Sequence, residues 1–99
     1  MRQIWKLVVE ILVQPGDMRS GLTKGFMNVT TWADSAESAS ERVANYIRRF
    51  NWHIIGIEDA RPVADNEEFD DEQMEDMITR TRTDPKAIIL GTFHGYKED

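Results

Sequence analysis

The sequence contains no cysteine, and this absence excludes several kinds of chemistry at once. Disulfide bonds, thiolate nucleophiles, zinc sites with cysteine ligands and iron–sulfur clusters all require that residue. A chain without disulfides suits a reducing compartment, and we expect a cytoplasmic protein. The sequence also lacks any apolar run of the roughly 18 residues that a membrane-spanning helix needs, so we expect no membrane partner.

Basic residues are few, and they are spread along the chain. Lysine and arginine together number 12, against 18 acidic residues and only two histidines. Half of the bases lie on or near the two predicted helices: Arg42, Arg48, Arg49, Arg80, Arg82 and Lys86. Because nucleic-acid affinity depends on several cations neutralising neighbouring phosphates, this dispersed pattern predicts no nucleic-acid partner.

What the sequence does contain is typical of one globular domain. It has 99 residues, of which 40% are hydrophobic and 30% charged. A chain of this length buries roughly two-thirds of the surface that it exposes when unfolded, which is enough for a single core. We therefore predict one domain over residues 1–99.

Residue patterns predict four strands and two helices. Alternating apolar residues and β-branched composition place strands at residues 3–13, 26–33, 52–63 and 87–96. Helical spacing of apolar residues places one helix from Asp34 to about residue 50 and another from about Asp70 to Arg82.

Both predicted helices begin at sites that favour capping. Asp34 is followed three residues later by Glu37, the spacing of a capping box. Asp70 and Gln73 have the same spacing, and the apolar residues on either side of this cap, Phe69 and Met74, predict a hydrophobic staple.

The element order ββαβαβ predicts an α+β two-layer sandwich, with a four-stranded, mainly antiparallel sheet and both helices on one face. The first strand is apolar on one side and mixed on the other, which favours a central position. If it lies between the second and third strands, those strands and the first helix form a split βαβ unit. The outline, with the run FMNVTTWADSAESA before a Trp-led strand, resembles small bacterial ferredoxin-like α+β domains. That resemblance implies a fold and no activity.

The acidic residues are concentrated in one segment. Eight of the 18 lie between Asp65 and Asp76, which leaves ten acids against 12 bases elsewhere. A metal site built from this segment is one interpretation, but the calcium-loop spacing is absent and we predict no metal site. The start of the second helix explains the acids close to its cap. Four surplus carboxylates then form a candidate binding patch: Glu67, Glu68, Glu75 and Asp76.

A second candidate binding surface is the sheet face that the predicted helices leave open. It carries apolar and aromatic residues, and large apolar patches are rarely left exposed on monomers. The candidate residues on this face are His53, His94, Trp32 and Tyr96. Pairing with a second copy through this face or a sheet edge is the leading interpretation. Acid–base chemistry by the two histidines requires their strands to be neighbours.

These patterns lead to one expected function and one alternative. The expected function is a small soluble, non-catalytic interaction or regulatory module that needs no cofactor. We expect it to be a homodimer whose acidic patch contacts a basic protein partner. The alternative is a small-molecule-binding protein or small enzyme that uses His53 and His94 on the open sheet face.

Overall fold

The computed structural model describes residues 2–12, 24–50 and 52–96, apart from the side chain of Tyr96. Five strands and two helices follow the chain: β1 (Gln3–Leu12), β2 (Lys24–Ala33), α1 (Ala36–Ile47), β3 (His53–Val63), α2 (Glu72–Thr83), β4 (Ile88–Leu90) and β5 (His94–Tyr96). A 3₁₀ turn, Arg48–Phe50, extends α1. The last residue of the first predicted strand, residue 13, lies outside the described residues.

The strands form one sheet in the order β3-β1-β2-β4, with β5 also pairing with β2. Every pairing is antiparallel. Because β2 and β3 both run antiparallel to the central β1, they are parallel to each other, and α1 connects them as the crossover of a split βαβ unit. The chain is therefore an α+β protein with an antiparallel sheet and two helices.

The fourth predicted strand is two short strands, which gives the sheet five strands instead of four. Gly91 still donates its N–H to the carbonyl of Asn28 at 2.8 Å, and pairing with β2 then stops until His94. Between them the ring of Phe93 packs over Gly25, where a Cβ atom would lie only 2.7 Å from it. The Phe93 ring therefore fills the space beside Gly25, in the part of the chain where the pairing with β2 is interrupted.

The two helices lie on opposite faces of the sheet, so the prediction of both on one face was wrong. Neighbouring residues of β2 show this directly, since successive side chains of a strand point to opposite faces. The hydroxyl of Thr30 is 2.7 Å from the hydroxyl of Thr81 on α2, whereas the hydroxyl of Thr31 accepts from Nε of Arg42 on α1 at 3.3 Å. The placement of α2 departs from the ferredoxin-like arrangement.

Each helix has its own apolar cluster against the sheet. Under α1 the buried residues are Trp5, Leu7, Val9, Ile11, Met27, Val29, Ala33, Ala39, Val43 and Ile47. Under α2 they are Ile4, Val63, Met74, Met77 and Ile78. The apolar side of β1 faces the larger cluster, and the buried Ile4 on its other side joins the smaller one. A central strand with apolar residues on both sides explains why the sheet takes a helix on each face.

Each helix begins two residues after its predicted start, and its N-cap lies one residue after the predicted cap. Ser35, not Asp34, accepts from the N–H of Ser38, and Asp71, not Asp70, accepts from the N–H of Gln73. An N-cap needs extended backbone with its side-chain oxygen over the first turn, and Ser35 and Asp71 both have that geometry. Both helices have 12 residues, and no helix within the described ranges is long and apolar enough to cross a membrane.

Two irregularities interrupt the pairing of β3, an edge strand, with β1. Register shifts lie between Lys6 and Val8 and between Glu10 and Ile11 on β1. At the first shift Asp59 adopts φ 52°, the left-handed region that glycine favours. Bulges bend an edge strand and make it a poorer template for pairing with another chain.

Candidate functional site

A bidentate ion pair joins the acidic segment before α2 to β3. Both nitrogens of the Arg61 guanidinium donate to Glu67, Nη1 to Oε1 at 3.2 Å and Nη2 to Oε2 at 2.8 Å. The Glu67 carboxylate also accepts from the N–H of Ala64 at 3.3 Å. The same guanidinium also lies over the ring of Phe69, with its Cζ 5.9 Å from the ring centroid. Glu67 therefore fixes the turn that leads away from β3.

This ion pair shifts the titration of both groups. Hydrogen bonds from the Arg61 guanidinium lower the pKa of Glu67, because they stabilise its charged form. The same hydrogen bonds raise the pKa of Arg61, and partial burial opposes that shift. Glu67 is consequently ionised in neutral solution and acts as a structural anion.

Other acids of the segment also have structural partners. Glu75 accepts from the N–H of Phe69 at 2.8 Å, and the carbonyl of Asp65 accepts from Nη2 of Arg82 at 3.0 Å. Asp76 lies 3.7 Å from Nη1 of Arg80 in an exposed i,i+4 pair. The structure therefore separates the four surplus carboxylates: Glu67 and Glu75 hold the segment, whereas Asp76 and the exposed Glu68 point outward.

The remaining outward acids lie around the start of α2. Asp70 and Glu72 are exposed, like Glu68, and flank the capping residue Asp71. Among the described residues, no three His, Asp or Glu side chains are grouped closely enough to hold a metal ion. We define the acidic surface as Glu68, Asp70, Glu72 and Asp76.

The two histidines lie near opposite edges of the sheet. His53 pairs with Leu12 on β1, and His94 pairs with Phe26 on β2. Three strand spacings of about 4.8 Å separate β3 from β5, so the backbones of the two strands lie roughly 14 Å apart. Both side chains are exposed. The two histidine strands are therefore not neighbours, which was the condition for acid–base chemistry by the pair.

The sheet face opposite α1 is only half covered by α2. Trp32 lies in the covered half, where its Nε1 donates to the carbonyl of Thr81 at 2.6 Å. The other half carries the partly exposed residues Val8, Leu12 and Phe26. The backbone of Tyr96 pairs with Lys24 at the end of this half. The face proposed from the sequence is thus reduced to a patch around β1, β2 and β5.

Sequence reasoning missed a groove lined by cations from three parts of the chain. A groove of about 820 Å³ lies between α1 and the start of β4, and Arg42, Arg49 and Lys86 line it. An adjoining cavity of about 500 Å³ shares Arg42 and Lys86 and adds Arg2. Arg2 lies 40 positions before Arg42, and Lys86 lies 37 positions after Arg49, so no local spacing signals the groove.

The fold and these surfaces define an α+β domain with charged surfaces of opposite sign: the acidic surface at the start of α2, and the basic groove beside α1. No family model, curated protein or solved structure matches the chain.

Proposed function

We propose that this protein is a non-catalytic interaction module that binds a basic protein partner through the acidic surface, Glu68, Asp70, Glu72 and Asp76. The observation that carries the proposal is that hydrogen bonds fix the backbone of the acidic segment before α2. Arg61 fixes the turn through Glu67, and Glu75 holds the backbone before the helix.

Holding the backbone matters because binding costs less when the ligand-facing segment is already ordered. The outward carboxylates therefore meet a partner from a fixed turn and a capped helix end rather than from a loose acidic tail. Charge of one sign also speeds association with an oppositely charged surface and disfavours acidic partners.

A charge-matched pair of variants tests this surface. The surface variant carries Glu68→Gln, Asp70→Asn, Glu72→Gln and Asp76→Asn, and it leaves Glu67, Asp71 and Glu75 in their structural roles. The control carries Asp34→Asn, Glu37→Gln, Glu41→Gln and Glu58→Gln, four exposed acids elsewhere. Each variant loses four negative charges, so overall charge alone affects both equally.

The probe is a synthetic peptide of alternating lysine and arginine, titrated into the labelled protein and followed by amide chemical shifts. We expect shifts around residues 68–76, and affinity about tenfold weaker in the surface variant, which is about 1.4 kcal/mol. The control should bind nearly as the parent does. Equal weakening in both variants would mean that only net charge matters, and the proposal would be abandoned.

We also propose that the protein is a homodimer through the uncovered half of the sheet face. The support is the partly exposed apolar group Val8, Leu12 and Phe26 on a face where α2 covers only the other half. Burial of such side chains against a second copy contributes roughly 25 cal/mol per Å² of apolar surface.

Sedimentation velocity at low micromolar concentration tests the dimer. We expect about twice the chain mass of 11.5 kDa. Val8→Lys should return the protein to a monomer. The matched control is Ile55→Lys, which changes a side chain 43% exposed on the β3 edge. A monomeric parent refutes the dimer, and dissociation by the control alone would assign the interface to that edge.

A further inference from the structure

The basic groove, which we define as Arg42, Arg49 and Lys86 with the adjoining Arg2, concentrates positive charge on an acidic protein. The chain has a net charge of −6. Within the main cavity, three cationic side chains face one carboxylate, that of Asp84, which accepts from the N–H of Lys86 at 2.9 Å. A local excess of cations on a molecule that otherwise repels anions favours an anionic ligand at this place.

The walls of the groove are joined by a buried hydroxyl. Thr31 is fully buried, accepts from Nε of Arg42 at 3.3 Å and donates to the carbonyl of Ala87 at 3.0 Å. One side chain thus links α1, β2 and the residue before β4. The Arg42 side chain that makes this bond also lines both the groove and the adjoining cavity.

The other wall is held in a comparable way. Nη2 of Arg2 donates to the carbonyl of Pro85 at 2.7 Å, which fixes the loop that carries Lys86. Along α1 and the 3₁₀ turn that extends it, Arg42, Tyr46 and Arg49 follow at intervals of four and three residues, and all three line the groove. The Arg49 guanidinium lies over the Tyr46 ring, 6.0 Å from its centroid. The groove is therefore a structured surface rather than a set of unrelated charges.

We propose that the basic groove binds a small molecule that carries at least two negative charges on phosphate. Its volume of about 820 Å³ lies within the range of small-molecule sites, roughly 300–1,000 Å³. Guanidinium groups pair with phosphate oxygens through two parallel hydrogen bonds, and lysine adds a mobile point charge. Phosphate places up to two charges on one group, so it is attracted to the clustered cations more strongly than a single carboxylate is.

The test uses three probes, each titrated into the labelled full chain and followed by amide and arginine side-chain shifts. Pyrophosphate represents the inorganic anion, ADP represents a phosphorylated organic molecule, and citrate carries a similar charge on carboxylates. We expect pyrophosphate or ADP to shift Arg42, Arg49 and Lys86, and citrate to bind more weakly than both. Binding of ADP alone with a shift at Tyr46 assigns an organic phosphate, and equal binding of pyrophosphate assigns the anion itself.

Arg49→Gln with Lys86→Gln removes two groove cations that have no part in joining the walls. The matched control, Lys6→Gln with Arg80→Gln, removes two cations elsewhere. We expect the groove variant to weaken phosphate binding about tenfold or more and the control to leave it nearly unchanged.

Three results would overturn the proposal. The first is the absence of shifts with both phosphate probes at 10 mM, and the second is equal weakening in the two double variants. The third is citrate binding as tightly as the phosphate probes. Unchanged thermal unfolding of both variants shows that lost binding is not lost folding.

Discussion

The hydroxyl of Thr30 donates a hydrogen bond to the hydroxyl of Thr81, with 2.7 Å between the two oxygens. The direction follows because Thr81 already uses its own proton, donated to the carbonyl of Met77 at 2.7 Å. Both threonines are completely buried. This pair joins the middle of β2 to the last turns of α2, and it fixes α2 on the face opposite α1.

Unequal costs are predicted for removing the two hydroxyls. Thr81→Val leaves the Thr30 hydroxyl buried without its acceptor, which should lower the free energy of unfolding by about 1–3 kcal/mol. Thr30→Val leaves Thr81 still bonded to Met77 and should cost about 1 kcal/mol or less. The double variant should cost less than the two changes summed, as urea unfolding would measure. Additive costs would contradict this account of the pair.

Asp59 is predicted to be a strained position that glycine relieves. Its φ of 52° costs an ordinary residue roughly 1–2 kcal/mol, and glycine's greater freedom when unfolded costs roughly 0.5–1 kcal/mol. Asp59→Gly should therefore stabilise the protein by about 0.5 kcal/mol, and Asp59→Val should destabilise it. Glu58→Gly, the neighbouring position without this φ, should be destabilising. Thermal unfolding of all three variants gives the comparison, and a destabilising Asp59→Gly would contradict it.

Two glycines should respond unequally to the same added methyl group. A Cβ at Gly25 would lie 2.5 Å from the carbonyl oxygen of His94, whereas a Cβ at Gly56 meets nothing within 4 Å. Gly25→Ala should cost about 1–3 kcal/mol and weaken the hydrogen-exchange protection of the β2–β5 pairing. Gly56→Ala should change stability by less than about 0.5 kcal/mol. Similar effects at both positions would show that Phe93 and β5 are packed differently.

The Glu67 ion pair should make stability depend on pH in acidic solution. The pKa of Glu67 is lower in the folded protein than in the unfolded chain, because Arg61 stabilises the charged form. Its contribution is therefore fully present above the ordinary glutamate pKa and is lost as pH falls through the lowered value. The difference in free energy of unfolding between parent and Glu67→Gln should shrink across that window, measured by urea unfolding at low salt.

Glu68→Gln is the control for this titration, since the exposed Glu68 forms none of the hydrogen bonds or ion pairs found among the described residues. Its difference from the parent should stay nearly constant over the same pH range. If Glu67→Gln behaves in the same way, the ion pair does not persist in solution.

Local patterns predicted most elements of the fold. Alternation along β1 placed Trp5, Leu7 and Val9 together, and all three are buried in one cluster. Val43 and Ile47, which have helical spacing within the first predicted helix, are likewise buried in α1. These predictions succeed because the period of a strand or helix depends on neighbouring residues alone. The cap positions were off by one residue because two adjacent candidates, Asp34 and Ser35, both have acceptor side chains.

Long-range pairing is what the sequence left open. The basic groove depends on Arg42 and Lys86 meeting across a gap of 44 residues, and nothing local to either residue signals the other. The separation of His53 and His94 follows in the same way from strand order, which places β1 and β2 between them.

By itself, the sequence determined the class of elements, the buried side of β1 and the concentration of acids before the second helix. Only the tertiary structure decided which face takes α2, which of those acids are structural, and where the cations gather. The physical reason is that periodicity and charge density are properties of a segment. The choice of face depends on a buried contact such as Thr30 with Thr81, made between residues that are 51 positions apart.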